Sequence, residues 1–331
     1  MIVLGLDTSC DDTSAAVVED NRILSNIVSS QLIHSQFGGI VPELASRAHI
    51  KLSLPVIRRA LHEADIKKEE LQGIAVTYGP GLIGSLLTGL CIAKGLSLSL
   101  DIPFIGINHL EGHAFSNILV NPELSSPFIV LIVSGGHTQL VLVKKWGYYE
   151  VIGKTRDDAA GEAFDKVAKI LNLGYPGGPV IEQAAKKGDL KYVQFPRAYL
   201  ENDSFDCSFS GLKTAVMNHV YNIGKDETKK HVEDIAACFQ ESVVDVLVNK
   251  TIRAARDRNV KQICLAGGVA VNKKLQTRFE QEVKKSNINL LYPSPRLCTD
   301  NGAMIAAAGL FYLNQGVHSP DFLSPDPSLN F

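Results

Sequence analysis

The chain opens on an apolar run, Ile2 to Asp7, breaks at the polar turn TSCDDTS, and resumes as Ala15 to Glu19 and then Ile23 to Ser30. Short apolar runs bounded by polar turns read as strands, so the first thirty residues predict a three-stranded antiparallel meander. A helical pattern follows around Glu43 to Ala64, and IAVTYGPGLIGSLLTGLCIAKGL then reads as strand, glycine turn and apolar helix. The same order returns further on. FIVLIVSGGHTQLVLVKK gives strand, polar glycine turn and strand, and Tyr149 to Thr155 gives a third strand. Helical segments are predicted over Ala160 to Leu171 and Ile235 to Arg258, and QICLAGGVAVNKKL supplies a strand, a double-glycine turn and a helix start.

Residue identity between the halves is weak, but the element order repeats. Repetition of this kind predicts an α/β chain of two lobes, each built on a mixed sheet, facing one another across a cleft. It is the pattern of the actin, sugar-kinase and Hsp70 (ASKHA) fold with duplicated ribonuclease H-like lobes. A length of 331 residues agrees, because single cores tend to split beyond about 250–300 residues. The expected division is a first lobe over residues 1–120 and a second over 121–315. An insertion is expected near 175–217, where Pro, Gly and aromatic residues interrupt the order. The Pro- and Ser-rich stretch 316–331 is expected as an extended or poorly ordered tail.

Composition narrows the class. Hydrophobic residues make up 45% and charged residues 21%, which excludes a disordered chain. The longest apolar stretch, Leu82 to Leu100, is interrupted by Lys94 and several Gly and Ser, so a membrane span is not expected. MIVLGLD leads straight into a strand pattern with no basic leader, which favours the cytoplasm. Six dispersed cysteines form no CxxC pair, against a thiolate zinc site or a disulfide framework. Cys91, Cys238 and Cys264 lie in apolar runs and are expected in the core; Cys10 and Cys298 flank polar motifs. A net charge of −2 leaves any nucleic-acid contact to local patches, such as Arg47, Lys51, Arg58 and Arg59 or the run from Arg253 to Lys261. Solvated helix faces explain those patches equally well.

In NHLEGH, His109 and His113 are four residues apart, so on a helix both imidazoles share one face about 6 Å apart along the axis. That spacing suits two ligands on one metal, and a pair of structural histidines would show it too. Leu110 stands where the HExxH metalloproteases place their general base. Asp300 in CTDNGAMIAAAG offers a third, carboxylate ligand, although Asp and Asn before an apolar helix are also common N-caps. Ser134, Gly135 and Gly136 in IVSGGHT free backbone amides to approach a phosphate, and Gly267, Gly268 and Asn272 in LAGGVAVN do the same at a helix start. The Asp11 and Asp12 pair sits in the first hairpin turn, where actin-like folds commonly aim a carboxylate at phosphates. Asp165, Gly178 and Glu182 lie in DDAAGEAFDKVAK and GYPGGPVIEQA.

Taken together and in order, TSCDDT, the stretch from Lys94 and Gly95 through Asp101 and Pro103 to NHLEGH, SGGHT, DDAAGEAFDK, GYPGGP, FSGLKTA, AGGVAVN and CTDNGAMIA resemble the tRNA threonylcarbamoyladenosine transferase family, in its bacterial form TsaD. The resemblance implies transfer of the threonylcarbamoyl group of threonylcarbamoyl-AMP to the N6 amine of an anticodon-loop adenosine, in tRNAs that read codons beginning with A. It implies one divalent metal ion, Fe in the first place with Zn or Mn as alternatives, on His109, His113 and Asp300. It implies a substrate site from Ile132, Val133, Ser134, Gly135, Gly136, Asp165, Gly178, Glu182 and Asn272, and a catalytic place for Asp11. The partners implied are tRNA, a paralogous actin-like subunit (TsaB), a small ATPase (TsaE) and the synthase that makes the donor. Departures are Asp12 where many bacterial members carry Glu, Glu182 where they carry Asp, Ala114 where a larger aliphatic is usual, and Ile132 where archaeal relatives place a ligating tyrosine. A small-molecule kinase of the same fold, a metalloprotease and a non-catalytic scaffold are the rival readings; the kinase leaves NHLEGH unexplained, and the scaffold leaves the histidines unexplained.

Overall fold

The opening apolar run forms β1 (Ile2–Asp7), paired antiparallel with β2 (Asp12–Glu19), which pairs antiparallel with β3 (Arg22–Ser30). This computed structural model describes residues 1–37, 39–198 and 203–331. After α1 (Pro42–Glu63) come β4 (Gly73–Gly79), α2 (Ile83–Leu100), β5 (Phe104–Asn108) and α3 (His109–Phe115). Strands β4 and β5 extend the sheet by parallel pairing on β1. The strand order is β3-β2-β1-β4-β5.

The second set of elements begins with β6 (Phe128–Val133), β7 (Thr138–Lys145), β8 (Tyr148–Lys154), α4 (Ala160–Ile170) and α5 (Gly177–Ala185). It continues through α6 (Ser210–Lys230), α7 (Val232–Asp257), β9 (Gln262–Ala266), α8 (Lys273–Ser286) and β10 (Asn289–Leu291). Its sheet runs β8-β7-β6-β9-β10, with β6–β7 and β7–β8 antiparallel and β6–β9 and β9–β10 parallel. Order and direction match the first sheet strand for strand, so the repeat seen as element order in the sequence is a repeat of topology. The short strands β5 and β10 complete the two sheets and were not anticipated.

The chain then returns through α9 (Pro295–Cys298) and α10 (Gly302–Leu313). Residues 1–124 and 293–331 form one unit, and 125–292 form the other. The expected boundaries at 120 and 315 are therefore corrected: residues 293–315 belong with the first lobe. The reason lies in packing. A Cβ on Gly5 of β1 would sit 2.2 Å from the Gly302 carbonyl, and one on Gly302 would sit 2.6 Å from the Ala16 amide. Only glycine lets α10 lie this close on β1 and β2. The other face of the sheet is covered by α1 and α2, where Leu4, Leu6, Val17, Val56, Ile57, Ala60, Val76 and Leu90 form a buried cluster. Both faces are covered, and β1 accordingly reads as an uninterrupted apolar run.

Three further expectations change. The region expected as an insertion holds α5 and the start of α6, with residues 199–202 outside the described residues. The sequence reading contained no α6; Gly224 at φ 80°, ψ 168° breaks its helical geometry midway. Cys91 is exposed rather than in the core, because α2 buries only the face of Ser85, Leu86, Gly89, Leu90 and Ala93. Helix α2 is long and apolar enough to cross a bilayer by length and composition alone, yet that buried face packs inside its own unit. Finally, the tail 316–331 lacks regular structure but is tied down by backbone hydrogen bonds, among them Ser319 N–H to the Phe104 carbonyl at 2.9 Å and Asp326 N–H to the Tyr78 carbonyl at 2.8 Å.

Candidate metal centre and substrate loops

Strand β5 ends at Asn108, whose side-chain oxygen accepts the Leu110 N–H at 2.9 Å and so caps α3. His109 thus stands at the first helical position with His113 one turn on, as the spacing predicts. Asp300 arrives from the loop between α9 and α10. Its Oδ1 lies 3.5 Å from His109 Nε2 and 3.2 Å from His113 Nε2. The three donor atoms lie within 4.8 Å of one another. Capping of α10 falls to Asn301, whose side chain accepts the Met304 N–H at 3.1 Å, leaving Asp300 to face the histidines.

Asp7, at the end of β1, was not singled out from the sequence. Its Oδ2 is 3.3 Å from His109 Nδ1, and its Oδ1 accepts the Ser9 N–H at 3.0 Å. The available signal was a carboxylate closing an otherwise apolar strand, and it was overshadowed by the neighbouring Asp11 and Asp12. The buried His49 was missed as well: its Nε2–H donates to the Cys10 carbonyl at 2.9 Å and its Nδ1 takes the Thr13 hydroxyl at 2.8 Å, pinning the acidic turn. Glu111 is buried and accepts the Tyr312 hydroxyl, which turns it towards α10.

The donor set fits a cation. Buried His109 Nδ1 and Asp7 Oδ2 face each other at 3.3 Å and buried His113 Nε2 faces Asp300 at 3.2 Å, but none of these atoms, nor His113 Nδ1, is in a well-formed hydrogen bond among the described residues. Such atoms each cost about 1–3 kcal/mol unless something satisfies them. Two imidazoles and a carboxylate suit Fe, Zn or Mn and leave coordination positions open. Electrostatics point the same way. Burial pushes the His109 imidazolium down, but Asp300 and Asp7 outweigh it and hold its pKa well above the ordinary histidine value. Asp300 is pushed up by burial, but His109 and His113 outweigh that and hold it well below the carboxylate range. Asp12 is pushed up to about 7, mainly by burial, against the Ser30 hydrogen bond and with Asp300, Asp11 and Asp7 adding to the rise. The acidic turn, with Asp11 half-buried at its tip, thus shares one field with Asp300 and Asp7.

The residues expected to hold substrate fall in the other unit. Ile132 and Val133 are fully buried in β6, so their side chains shape the core and only their backbone leads into the loop. Ser134 closes the turn by donating its N–H to the His137 carbonyl at 2.8 Å, and Gly135 and Gly136 are exposed with open space above them. A Cβ on Gly161 would lie 2.5 Å from the Ser134 carbonyl, and one on Gly267, at φ +90°, 2.4 Å from the Val133 carbonyl. Glycine at both places lets α4 and the AGG turn press on the loop. Asp165 accepts the Gly177 N–H at 2.7 Å at the start of α5, beside Gly178. Glu182 accepts the Lys273 N–H at 2.7 Å at the start of α8. Asn272 caps α8 through Leu275 N–H and donates to Gln240. Loop, α4, α5 and α8 therefore meet by direct contacts beyond the carboxyl ends of the parallel strands β6 and β9. The group His109, His113 and Asp300 lies at the corresponding edge of β1 and β5. Ligands in open α/β sheets bind at such edges.

The basic patches named from the sequence are largely engaged. Arg47 pairs with Glu43 and Arg59 with Glu63. Arg256 donates to Ser286, Arg258 pairs with Glu150, and the Arg253 guanidinium lies 4.5 Å from the Phe205 ring centroid.

A twice-repeated mixed sheet with polar loops on its carboxyl edge defines a protein of the actin-like, sugar-kinase class. Solved structures agree: HypF from T. kodakarensis superposes with a TM-score of 0.63 at 16% identity over 95% of this chain and 48% of that one. The Acidaminococcus fermentans (R)-2-hydroxyglutaryl-CoA dehydratase component A gives 0.59 at 17% identity over 95% and 98%. At that identity they speak to fold alone. Within the class, this chain belongs to the TsaD family, tRNA N6-adenosine threonylcarbamoyltransferase, whose family model matches residues 22–307. Relatives of that name from Thermosipho africanus and Caldicellulosiruptor saccharolyticus are 53% and 52% identical, covering 99% and 96% of this chain and 99% and 94% of theirs.

Proposed function

We propose that the chain is a metal-dependent transferase that moves the threonylcarbamoyl group of threonylcarbamoyl-AMP to the N6 amine of an anticodon-loop adenosine in tRNA. The observation that supports the metal part is the convergence of one ligand atom each from His109, His113 and Asp300, all within 4.8 Å of one another in a buried setting. The ion, which we take to be Fe with Zn or Mn as alternatives, would act as a Lewis acid on donor oxygens when bound. Asp7 would hold the His109 ring in the orientation that aims Nε2 at the ion. The Gly135 and Gly136 amides suit donor oxygens, and Asp165, Gly178, Glu182 and Asn272 suit the remainder of the adenylate. In the transfer, the N6 lone pair forms the bond to the carbamoyl carbon while the carbon–oxygen bond to phosphate breaks, AMP leaves and N6 loses a proton. Asp11 and His137 are the candidates to accept that proton. The engagement of Glu111 by Tyr312 speaks against a peptidase.

We further propose a cytoplasmic enzyme working with the paralogous actin-like subunit, the small ATPase and the donor synthase. An exposed apolar row, Ile50 and Leu54 on α1 with Leu87 and Cys91 on α2, supports a protein partner. The test is incubation with synthase-made threonylcarbamoyl-AMP, unmodified tRNA and these partners, followed by mass spectrometry of the nucleosides. Threonylcarbamoyladenosine is expected with the unaltered chain and not with His109→Ala. No product from a metal-loaded chain in the presence of its partners would overturn the proposal.

A further inference from the structure

The tail after α10 is bound to the first unit at points that lead to the metal ligands. Lys94 on α2 donates through Nζ to the carbonyls of Asp321 and Leu323, at 2.6 and 2.7 Å. Ser319 takes the Gly106 N–H on its hydroxyl at 2.9 Å and gives its own N–H to Phe104, so it docks on β5 from both directions. At the end of β4 the approach is tighter still, for a Cβ on Gly79 would lie 2.0 Å from the Asp326 carbonyl. Gly81 N–H reaches the Pro327 carbonyl at 3.3 Å. The last link is Asn108, whose Nδ2 donates to the Asn330 carbonyl at 3.0 Å.

Asn108 is also the cap of α3. An asparagine side chain offers its oxygen on one side and its amide on the other. The Asn330 carbonyl takes the amide, and this leaves Oδ1 turned to the Leu110 N–H. Helix α3 has seven residues, whereas isolated helices below roughly 12–15 are marginal. Its position therefore depends on its cap and its packing, and both metal-directed histidines ride on it.

We propose that residues 317–331 form a strap that positions His109 and His113 by holding Asn108 in its capping orientation, with Lys94 as the clamp that seats the strap. Asn108 and Lys94 are positioning residues, and the inference rests on the metal reading given above. It also gives Lys94, the first residue of the stretch that ends in NHLEGH, a task in the site.

The test is a titration of the full chain with Co²⁺, read by visible absorption and by competition with Zn²⁺. Lys94→Met and Asn108→Ala are each expected to weaken Co²⁺ binding by about 10-fold, the low end for loss of a group that orients metal ligands. Lys94→Arg, which can still reach two carbonyls, is expected to restore affinity. Hydrogen exchange in Lys94→Met is expected to rise along 317–331 and α3 and to stay unchanged in α4. Should Lys94→Met fail to fold by circular dichroism, Ser319→Ala, which removes one strap bond, is read instead and is expected to weaken Co²⁺ several-fold. Unchanged affinity in these variants, in a chain whose Co²⁺ binding is lost with His109→Ala, overturns the strap. Absence of Co²⁺ binding, or binding indifferent to His109→Ala, overturns the metal reading and the strap with it.

Discussion

With Asp300 replaced by alanine, His109 and His113 lose the anion that offsets their burial as well as the third donor for a cation. Asp300→Ala and His113→Ala are each expected to abolish stoichiometric metal binding, measured by elemental analysis after gel filtration. Asp7→Asn keeps all three ligands and loses only the charge behind His109, so a loss of about 10–100-fold in metal affinity is expected with the fold intact. A different residue contributes to stability against acid. Burial pushes the Asp158 carboxyl up, but its hydrogen bonds to Lys166 and Lys213 outweigh this and hold it below its ordinary value of 3.8. A carboxyl lowered on folding stabilises the protein above its unfolded value and ceases to do so as pH falls through the folded one. Asp158→Asn is therefore expected to cost about 1–3 kcal/mol at neutral pH, with the two unfolding midpoints converging below pH 3.8. At this scale the sequence carried His109, His113 and Asp300 as candidates, because residue type and helical spacing survive without coordinates. Asp7 and His49 did not stand out, since a lone carboxylate or imidazole acquires meaning only from what lies opposite.

Between elements, the closest approach is that of β1 and α10. Gly5→Ala places a methyl group against the Gly302 carbonyl and the Ala306 amide, both backbone atoms that can yield only if the helix moves. The expected cost is about 1–3 kcal/mol or more, read as a lowered denaturation midpoint with an unchanged m-value. Most elements were legible because strands and helices here carry clear apolar periods bounded by Gly and polar turns. The exceptions have a common cause. Helix α2 is apolar nearly all round, so its sequence does not say which face is buried, and the expectation that Cys91 lies in the core fails. Helix α6 is polar over much of its length and broken at Gly224, and it gave no helical signal.

For the whole molecule, the duplication was readable as a repeated order of elements, whereas the lobe boundaries were not. Sequence separation hides the return of residues 293–331 to the first unit, which is fixed by glycine-mediated packing on β1 and not by local pattern. The partner surface belongs to this scale too. Leu54→Asp with Leu87→Asp removes apolar area from the exposed row without touching the metal ligands. The double variant is expected to keep its metal content and its circular dichroism spectrum but to lose co-elution with the paralogous subunit. Retained co-elution would move the docking surface elsewhere.

The split of the first unit has a bearing on biosynthesis. Residues 125–292 form one uninterrupted stretch and can fold as soon as they leave the ribosome, as contiguous domains do. The first unit cannot finish in that way, since α10, which covers one face of its sheet, is translated only after the whole of the second unit. His109 and His113 emerge long before Asp300. On the metal reading proposed above, a chain released before Asp300 would carry both histidines and still hold no complete ligand set.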